Sequence, residues 1–152
     1  MEKICFLFGH RDAPDTLAPL LDAALLQHCD RYGIQVFVVG SRGRFDSMAA
    51  AALRRLKARR PQVRLLLLLA YHPAYRPPIV PDGFDGTLYP PGMERVPLRL
   101  AIPRANTAVL RQAHSIICFV NGPGNTRTLL ETACARREQP HITNLADGAV
   151  GS

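Results

Sequence analysis

Residues 63–70 read VRLLLLLA, and the apolar run of this stretch, interrupted only by Arg64 near its start, decides the fold. A strand with one face in water alternates apolar and polar residues, whereas a strand covered on both faces is apolar throughout. The run is also far shorter than the roughly 20 residues that a membrane-spanning helix needs. It therefore predicts a buried strand in a parallel sheet with helices on both faces.

Apolar stretches and helical patterns alternate on either side of this run. Further strands are predicted at 3–8, 34–40, 115–120 and 141–145, and helices at 15–33, 47–60, 104–114 and 126–138. We expect Asp15 to cap the first helix, Pro19 to lie in its first turn and Gly33 to end it. The alternation predicts an α/β fold, a Rossmann-like, doubly wound, mainly parallel sheet of about five strands with helices on both faces.

Length and composition indicate one domain over residues 1–152, because 152 residues of which 47% are hydrophobic can build one sizeable core. A proline-rich insert at 71–97 interrupts the alternation, and its tyrosines and Phe84 argue against plain disorder. The sequence leaves open whether this insert is a structured flap over a ligand site or an inert surface excursion.

The formal net charge is +7, and most of the positive side chains are arginines. Arginine suits the forked recognition of phosphate or carboxylate. The four cysteines lack the close pairing of zinc sites and small disulfide frameworks, so we expect reduced thiols and no metal site. With neither an export signal nor a long apolar stretch in view, we expect a soluble, cytoplasmic protein that does not bind membranes.

Glycine-containing loops follow three of the predicted strands, at 9–14, 40–47 and 121–127. Open α/β sheets bind ligands at the carboxyl ends of their strands. Glycine permits close backbone approach, and free N–H groups at a helix N-terminus attract anions. The three loops predict an anion cradle, although neither a P-loop nor the dinucleotide fingerprint is present.

Three longer segments, CFLFGHRDAP (5–14), GSRGRFDSMAAAAL (40–53) and PRANTAVLRQAHSIICFVNGPGNTRTLL (103–130), carry a family resemblance. Together they resemble the YpsA-type proteins (domain of unknown function 1273), a branch of the SLOG superfamily that also includes the DprA/Smf and LONELY GUY groups. The resemblance implies a Rossmann-like domain that binds a nucleotide or nucleotide derivative, of the AMP, NAD or ADP-ribose class, often as a homodimer. It implies no further cofactor.

The resemblance also implies which residues bind the ligand. They are Gly9, His10, Arg11, Gly40, Ser41, Arg42, Gly43, Phe45, Asp46, Arg104, Asn106, Asn121, Gly122, Gly124, Asn125 and Thr126. In the last turn Pro123 and Asn125 interrupt the glycine pair that the family pattern has, which removes one backbone N–H.

Three functions are compatible with these residues. The first is a small nucleotide-binding domain that works as a sensor. The second is a nucleotide N-glycosidase, similar to the LONELY GUY phosphoribohydrolases, with Glu131 or Asp46 as the candidate carboxylate. The third is binding of single-stranded nucleic acid, for which the insert offers Tyr75, Arg76 and Phe84.

Two of these residues also have structural interpretations. Asp46 fits the N-cap of the second predicted helix, and Thr128 with Glu131 fits a helix capping box. We favour the structural interpretation of Glu131 and expect a mononucleotide-sized anion to bind better than an oligonucleotide.

Overall fold

The computed structural model describes residues 2–147 and folds them around one sheet. Its strands are β1 (Ile4–Gly9), β2 (Val36–Val39), β3 (Arg64–Leu68), β4 (Gly86–Leu88), β5 (Ser115–Phe119) and β6 (His141–Asn144). Its helices are α1 (Ala18–Tyr32), α2 (Arg44–Arg59), α3 (Ala101–Gln112) and α4 (Asn125–Cys134). No helix within residues 2–147 combines the length and the apolar character needed to cross a membrane.

All six strands are parallel, in the order β4-β3-β2-β1-β5-β6. The chain moves outward from β1 through β2 and β3 to β4, then returns to place β5 on the other side of β1. Cys5 of β1 is accordingly opposite Phe37 of β2 on one side and Ser115 of β5 on the other. The order of the strands therefore reverses at β1.

Both faces of the sheet are covered, because alternate side chains of β1 enter different cores. Cys5 and Leu7 pack with α1 and α2, whereas Phe6 and Phe8 pack with α3. The predicted α/β fold is confirmed, with six strands in place of about five. The additional strand is β4.

Strand β4 lies within the proline-rich insert and is held by contacts from elsewhere in the chain. The Leu69 N–H donates to the Leu88 carbonyl at 2.8 Å, and the Leu65 N–H donates to an Asp85 carboxylate oxygen at 2.7 Å. Met93, further along the insert, is buried in the core beneath α3. Parts of the insert are therefore integral to the sheet and its core.

The first helix departs from the prediction at its beginning. Asp15 opens a short 3₁₀ turn, Asp15–Leu17, and its carboxylate pairs with Arg44. The N-cap of α1 is Leu17, so the assignment of Asp15 as N-cap is wrong. Pro19 does lie in the first turn, and Gly33 ends the helix in the left-handed conformation at φ 68°.

His28 of α1 is fully buried and joins that helix to two strands. Its Nδ1 and Nε2 atoms lie 2.8 Å from the hydroxyls of Ser115 and Thr143 respectively. Burial, with a smaller contribution from the charge of His141, lowers the pKa of His28 from 6.5 to about 4. The folded protein therefore holds His28 neutral.

This burial predicts a stability that depends on pH. In the unfolded chain His28 takes up a proton as the pH falls below its ordinary pKa near 6.5, whereas in the folded chain it does so only near 4. The stability that neutral His28 contributes is complete above pH 6.5 and is lost between pH 6.5 and 4. Urea unfolding at pH 7.5 and 5.0 should reveal a loss about 2 kcal/mol larger in the wild type than in His28→Gln. Equal losses in the two proteins would contradict the assignment.

Candidate functional site

A cavity of about 290 Å³ opens at the carboxyl end of β1, where the strand order reverses. Residues from β1, the end of β3, the start of α2 and one face each of α3 and α4 line it. Ligands of doubly wound proteins bind at this position because the connections leave β1 and its neighbour in opposite directions and open a crevice.

Many of the predicted site residues meet at this cavity. Those that line it are Gly9, Arg11, Gly40, Arg42, Gly43, Asp46, Asn106, Asn125 and Thr126. Those that do not are His10, Ser41, Phe45, Arg104, Asn121, Gly122 and Gly124. The three predicted loops therefore lie at one edge of the sheet, and each contributes lining residues.

The cations of the cavity are Arg11 and Arg42, from the loops after β1 and β2. These two loops are in direct contact, since the Arg44 N–H donates to the Arg11 carbonyl at 3.1 Å. A Cβ atom on Gly43 would lie 3.0 Å from the Arg11 Cα. Close packing of the two loops thus fixes the backbone positions from which the Arg11 and Arg42 side chains extend.

Asp46 is the acidic residue of the cavity and lies inside the first turn of α2. Gly43 is the N-cap, so the assignment of Asp46 to that position is wrong. The Asp46 carboxylate instead accepts the Arg42 N–H at 2.8 Å and so ties the loop to the helix. Burial raises its pKa to about 6, against the opposing effects of the Arg42 N–H and the Arg42 charge.

The N-terminus of α4 also faces the cavity, through Asn125 and Thr126. The first N–H groups of a helix have no carbonyl within the helix to bond, and the helix dipole makes this end positive. The preceding Gly124 has φ 126°, in the region that favours glycine. A Cβ there would meet nothing within 4 Å, so Gly124 serves the conformation of the turn.

The capping box predicted for Thr128 and Glu131 is wrong, because α4 begins three residues earlier at Asn125. Thr128 already lies within the helix, where its hydroxyl donates to the Gly124 carbonyl at 3.3 Å. Glu131 is exposed and does not line the cavity.

Phe45 and His10, from two of the predicted loops, do not line the cavity. Phe45 is fully buried, and a Cβ on Gly9 would come within 2.5 Å of its ring. Gly9 is thus required for packing as well as being at the cavity. The His10 ring lies edge-on to Phe119, and within residues 2–147 its buried Nε2 has no hydrogen-bond partner. Arg104 is exposed on α3.

Sequence reasoning missed the lining residues that project from the strands and from within the helices. They are Phe6, Leu7, Phe8, Leu68, Ala70, Ile102, Pro103, Thr107, Thr128, Leu129 and Thr132. Thr128 and Thr132 lie one turn apart on α4, but this spacing does not say which face of the helix meets a cavity. Both hydroxyls donate to carbonyls four residues earlier in the helix.

The chain's four cysteines are free and none lines the cavity. Burial raises the pKa of Cys5 to about 12 and raises that of Cys118 further. These two thiols are protonated at neutral pH and have the character of core residues.

No protein-family model and no curated protein matches the chain. Among solved structures, the chain is similar to the Moco carrier protein (Moco, molybdenum cofactor) from Chlamydomonas reinhardtii, with a TM-score of 0.50 and 10% sequence identity. The match covers 98% of this chain and 94% of that chain. At this identity the likeness shows a shared α/β, Rossmann-like fold.

Proposed function

We propose that this chain is a binding domain for a small phosphate-bearing molecule of the nucleotide class, held in the cavity at the end of β1. One observation carries the proposal: two arginines from different loops and the N-terminus of α4 converge on a single cavity. Guanidinium groups and free helix N–H groups are the donors that phosphate oxygens accept best.

The size of the cavity supports a small ligand. Its volume of about 290 Å³ lies at the lower end of the range for small-molecule sites. The name of the Moco carrier protein, which has the same fold, indicates that the fold can serve to carry a small cofactor. A sensor that reads the level of a nucleotide-derived signal, acting as a single domain and assembled as a homodimer, fits the resemblance to the YpsA-type proteins.

Binding of single-stranded nucleic acid has less support. It would need a continuous basic stripe, yet Arg55, Lys57 and Arg60 of α2 and the turn after it are paired with acids, which leaves Arg54 and Arg59 as the basic residues of that stretch without an ion pair within residues 2–147. Arg55 pairs with Asp22 at 2.9 Å and Arg60 with Asp30 at 2.7 Å. These pairs reduce the positive field that a polyanion would meet along this surface.

Hydrolysis of a nucleotide N-glycosidic bond is the second candidate, and Asp46 favours it. A cavity carboxyl with a pKa of about 6 can donate or accept a proton near neutral pH. Glycosidic hydrolysis ordinarily uses two carboxyl groups, however, and Asp46 is the one acidic residue lining the cavity in the described chain. Release of free adenine from AMP by the wild type, absent in Asp46→Asn, would favour this candidate over simple binding.

The binding proposal predicts that Arg11→Gln and Arg42→Gln each weaken AMP binding about ten- to a hundredfold. Each variant removes a charge-assisted hydrogen bond worth about 1.5–3 kcal/mol. Isothermal titration calorimetry measures the affinities, and circular dichroism checks folding. Arg44→Gln is the matched control, because Arg44 is a neighbouring arginine that pairs with Asp15 and does not line the cavity.

Arg104→Gln, measured in the same series, tests whether the ligand contacts Arg104, a binding residue that the family resemblance implies but that does not line the cavity. A loss confined to Arg104→Gln would place the ligand outside the cavity. Tighter binding of a single-stranded oligonucleotide than of AMP, falling steeply with salt, would replace the proposal with nucleic-acid binding.

The position of Asp46 predicts that anion binding strengthens as the pH falls. An ionised Asp46 repels a bound phosphate, and protonation near pH 6 removes that repulsion. We expect affinity for ADP-ribose, whose pyrophosphate keeps its charge in this range, to rise about three- to tenfold between pH 7.5 and 5.0. Asp46→Asn should bind tightly at both pH values. A wild-type affinity that is independent of pH would place the anion away from Asp46.

A further inference from the structure

An aromatic ring of the proline-rich insert, that of Tyr71, lies next to the cavity residue Arg42. Ala70, just beyond the end of β3, lines the cavity, and Tyr71 is the next residue. The Tyr71 side chain is partly buried against the core beneath α3. Its ring is therefore anchored by packing at the point where the sheet gives way to the insert.

Two arginines lie over this ring. The guanidinium carbon of Arg76 is 4.3 Å from the Tyr71 ring centroid, and that of Arg42, a cavity residue, is 5.5 Å away. Both distances are within the range of cation–π interaction. Within residues 2–147 neither guanidinium is ion-paired with a carboxylate. The guanidinium groups of Arg42 and Arg76 thus contact the same aromatic ring, and no carboxylate ion pair within the described residues offsets their repulsion.

A tight turn brings Arg76 back to Tyr71. The N–H groups of Tyr75 and Arg76 donate to the His72 carbonyl at 2.9 and 3.0 Å, and the Ala74 N–H donates to the His72 ring at 3.0 Å. The His72 ring in turn lies edge-on to Tyr89, with the centroids 5.6 Å apart. The turn that brings Arg76 over Tyr71 is therefore held by local hydrogen bonds and an aromatic contact, and Arg42 completes the cluster of Tyr71, Arg42 and Arg76 from the other side of the insert's boundary with the cavity.

We propose that this cluster is a subsite for the planar, aromatic part of the ligand, so that Tyr71 and the two arginines select a heteroaromatic phosphate over a simple sugar phosphate. The inference rests on the proposed function, since it assigns a second part of the same ligand. Planar rings stack on tyrosine and on guanidinium groups, and the negative charge of the ligand relieves the repulsion between the two cations. The insert thereby acquires a role in specificity.

The test compares AMP with ribose 5-phosphate, which has the phosphate and sugar but no aromatic ring. Tyr71→Leu should weaken AMP binding about tenfold, equivalent to about 1.4 kcal/mol, and change ribose 5-phosphate binding less than about twofold, because stacking contributes only to the former. Tyr71→Phe keeps the aromatic face and should retain AMP affinity. Tyr75→Leu is the comparison variant within the same turn: its ring lies 6.1 Å from that of Tyr71, but it is 60% exposed, and within the described chain the cavity residue Arg42 lies over Tyr71 and not over Tyr75.

Fluorescence supplies a second readout. The chain has no tryptophan, so its emission comes from tyrosine. AMP should quench part of that emission in the wild type, and Tyr71→Phe should lose this part while still binding.

Three results would overturn the inference. Equal weakening of both probes by Tyr71→Leu would mean that Tyr71 only positions Arg42, and the proposed function would stand. A larger effect of Tyr75→Leu would move the stacking to the exposed ring. Failure of the wild type to bind either probe would remove the proposed function and the inference with it.

Discussion

The burial of β1 on both faces is the constraint on which the rest of the structure depends. Its residues Cys5, Phe6, Leu7 and Phe8 are all buried, so a helical layer must cover each face of the sheet. To cover both faces, the chain adds strands β2, β3 and β4 on one side of β1 and then returns to add β5 and β6 on the other side. The crevice at the end of β1 is a consequence of that reversal.

Packing constrains the loops at this crevice before any ligand does. Gly9 leaves room for the Phe45 ring, and Gly43 leaves room for the backbone of Arg11. The hydrogen bond from the Arg44 N–H to the Arg11 carbonyl then joins the first loop to α2. Glycines that resemble a phosphate-binding pattern are thus also required by the core, and this is why a glycine-rich loop alone is weak support for a ligand.

The sequence predicted the fold class and most of the elements, because strands covered on both faces and amphipathic helices leave strong patterns. It did not predict β4, because this strand has only three residues, Gly86–Leu88, and they are not all apolar. Hydrogen bonds that involve Leu69 and Asp85 hold the strand in place, and such contacts leave no local pattern in the sequence. It misplaced the caps at Asp15 and Asp46 by two or three residues, because the irregular turns before α1 and α2 leave no periodic signal. The lining threonines were missed because helical spacing does not say which face meets a cavity.

The charge of the crevice depends on which basic residues are ion-paired and which are not, more than on the net charge of +7. On α2 and the turn after it, Arg55, Lys57 and Arg60 are matched by acids from other elements. Such partly exposed pairs contribute little to stability, but they reduce the positive field on that side of the molecule, where Arg54 and Arg59 form no ion pair within residues 2–147. Arg11, Arg42 and Arg76 form no ion pair within the described chain.

Arg11 and Arg42 stand at the crevice beside the positive end of α4, and Arg76 joins Arg42 over the Tyr71 ring. Asp46 lines the same cavity and is largely buried, and its pKa of about 6 means that its opposing negative charge is lost as the pH falls through that value. Part of the unpaired positive charge of the chain therefore lies where the strand order opens a cavity, which supports the proposed binding of a small anion there.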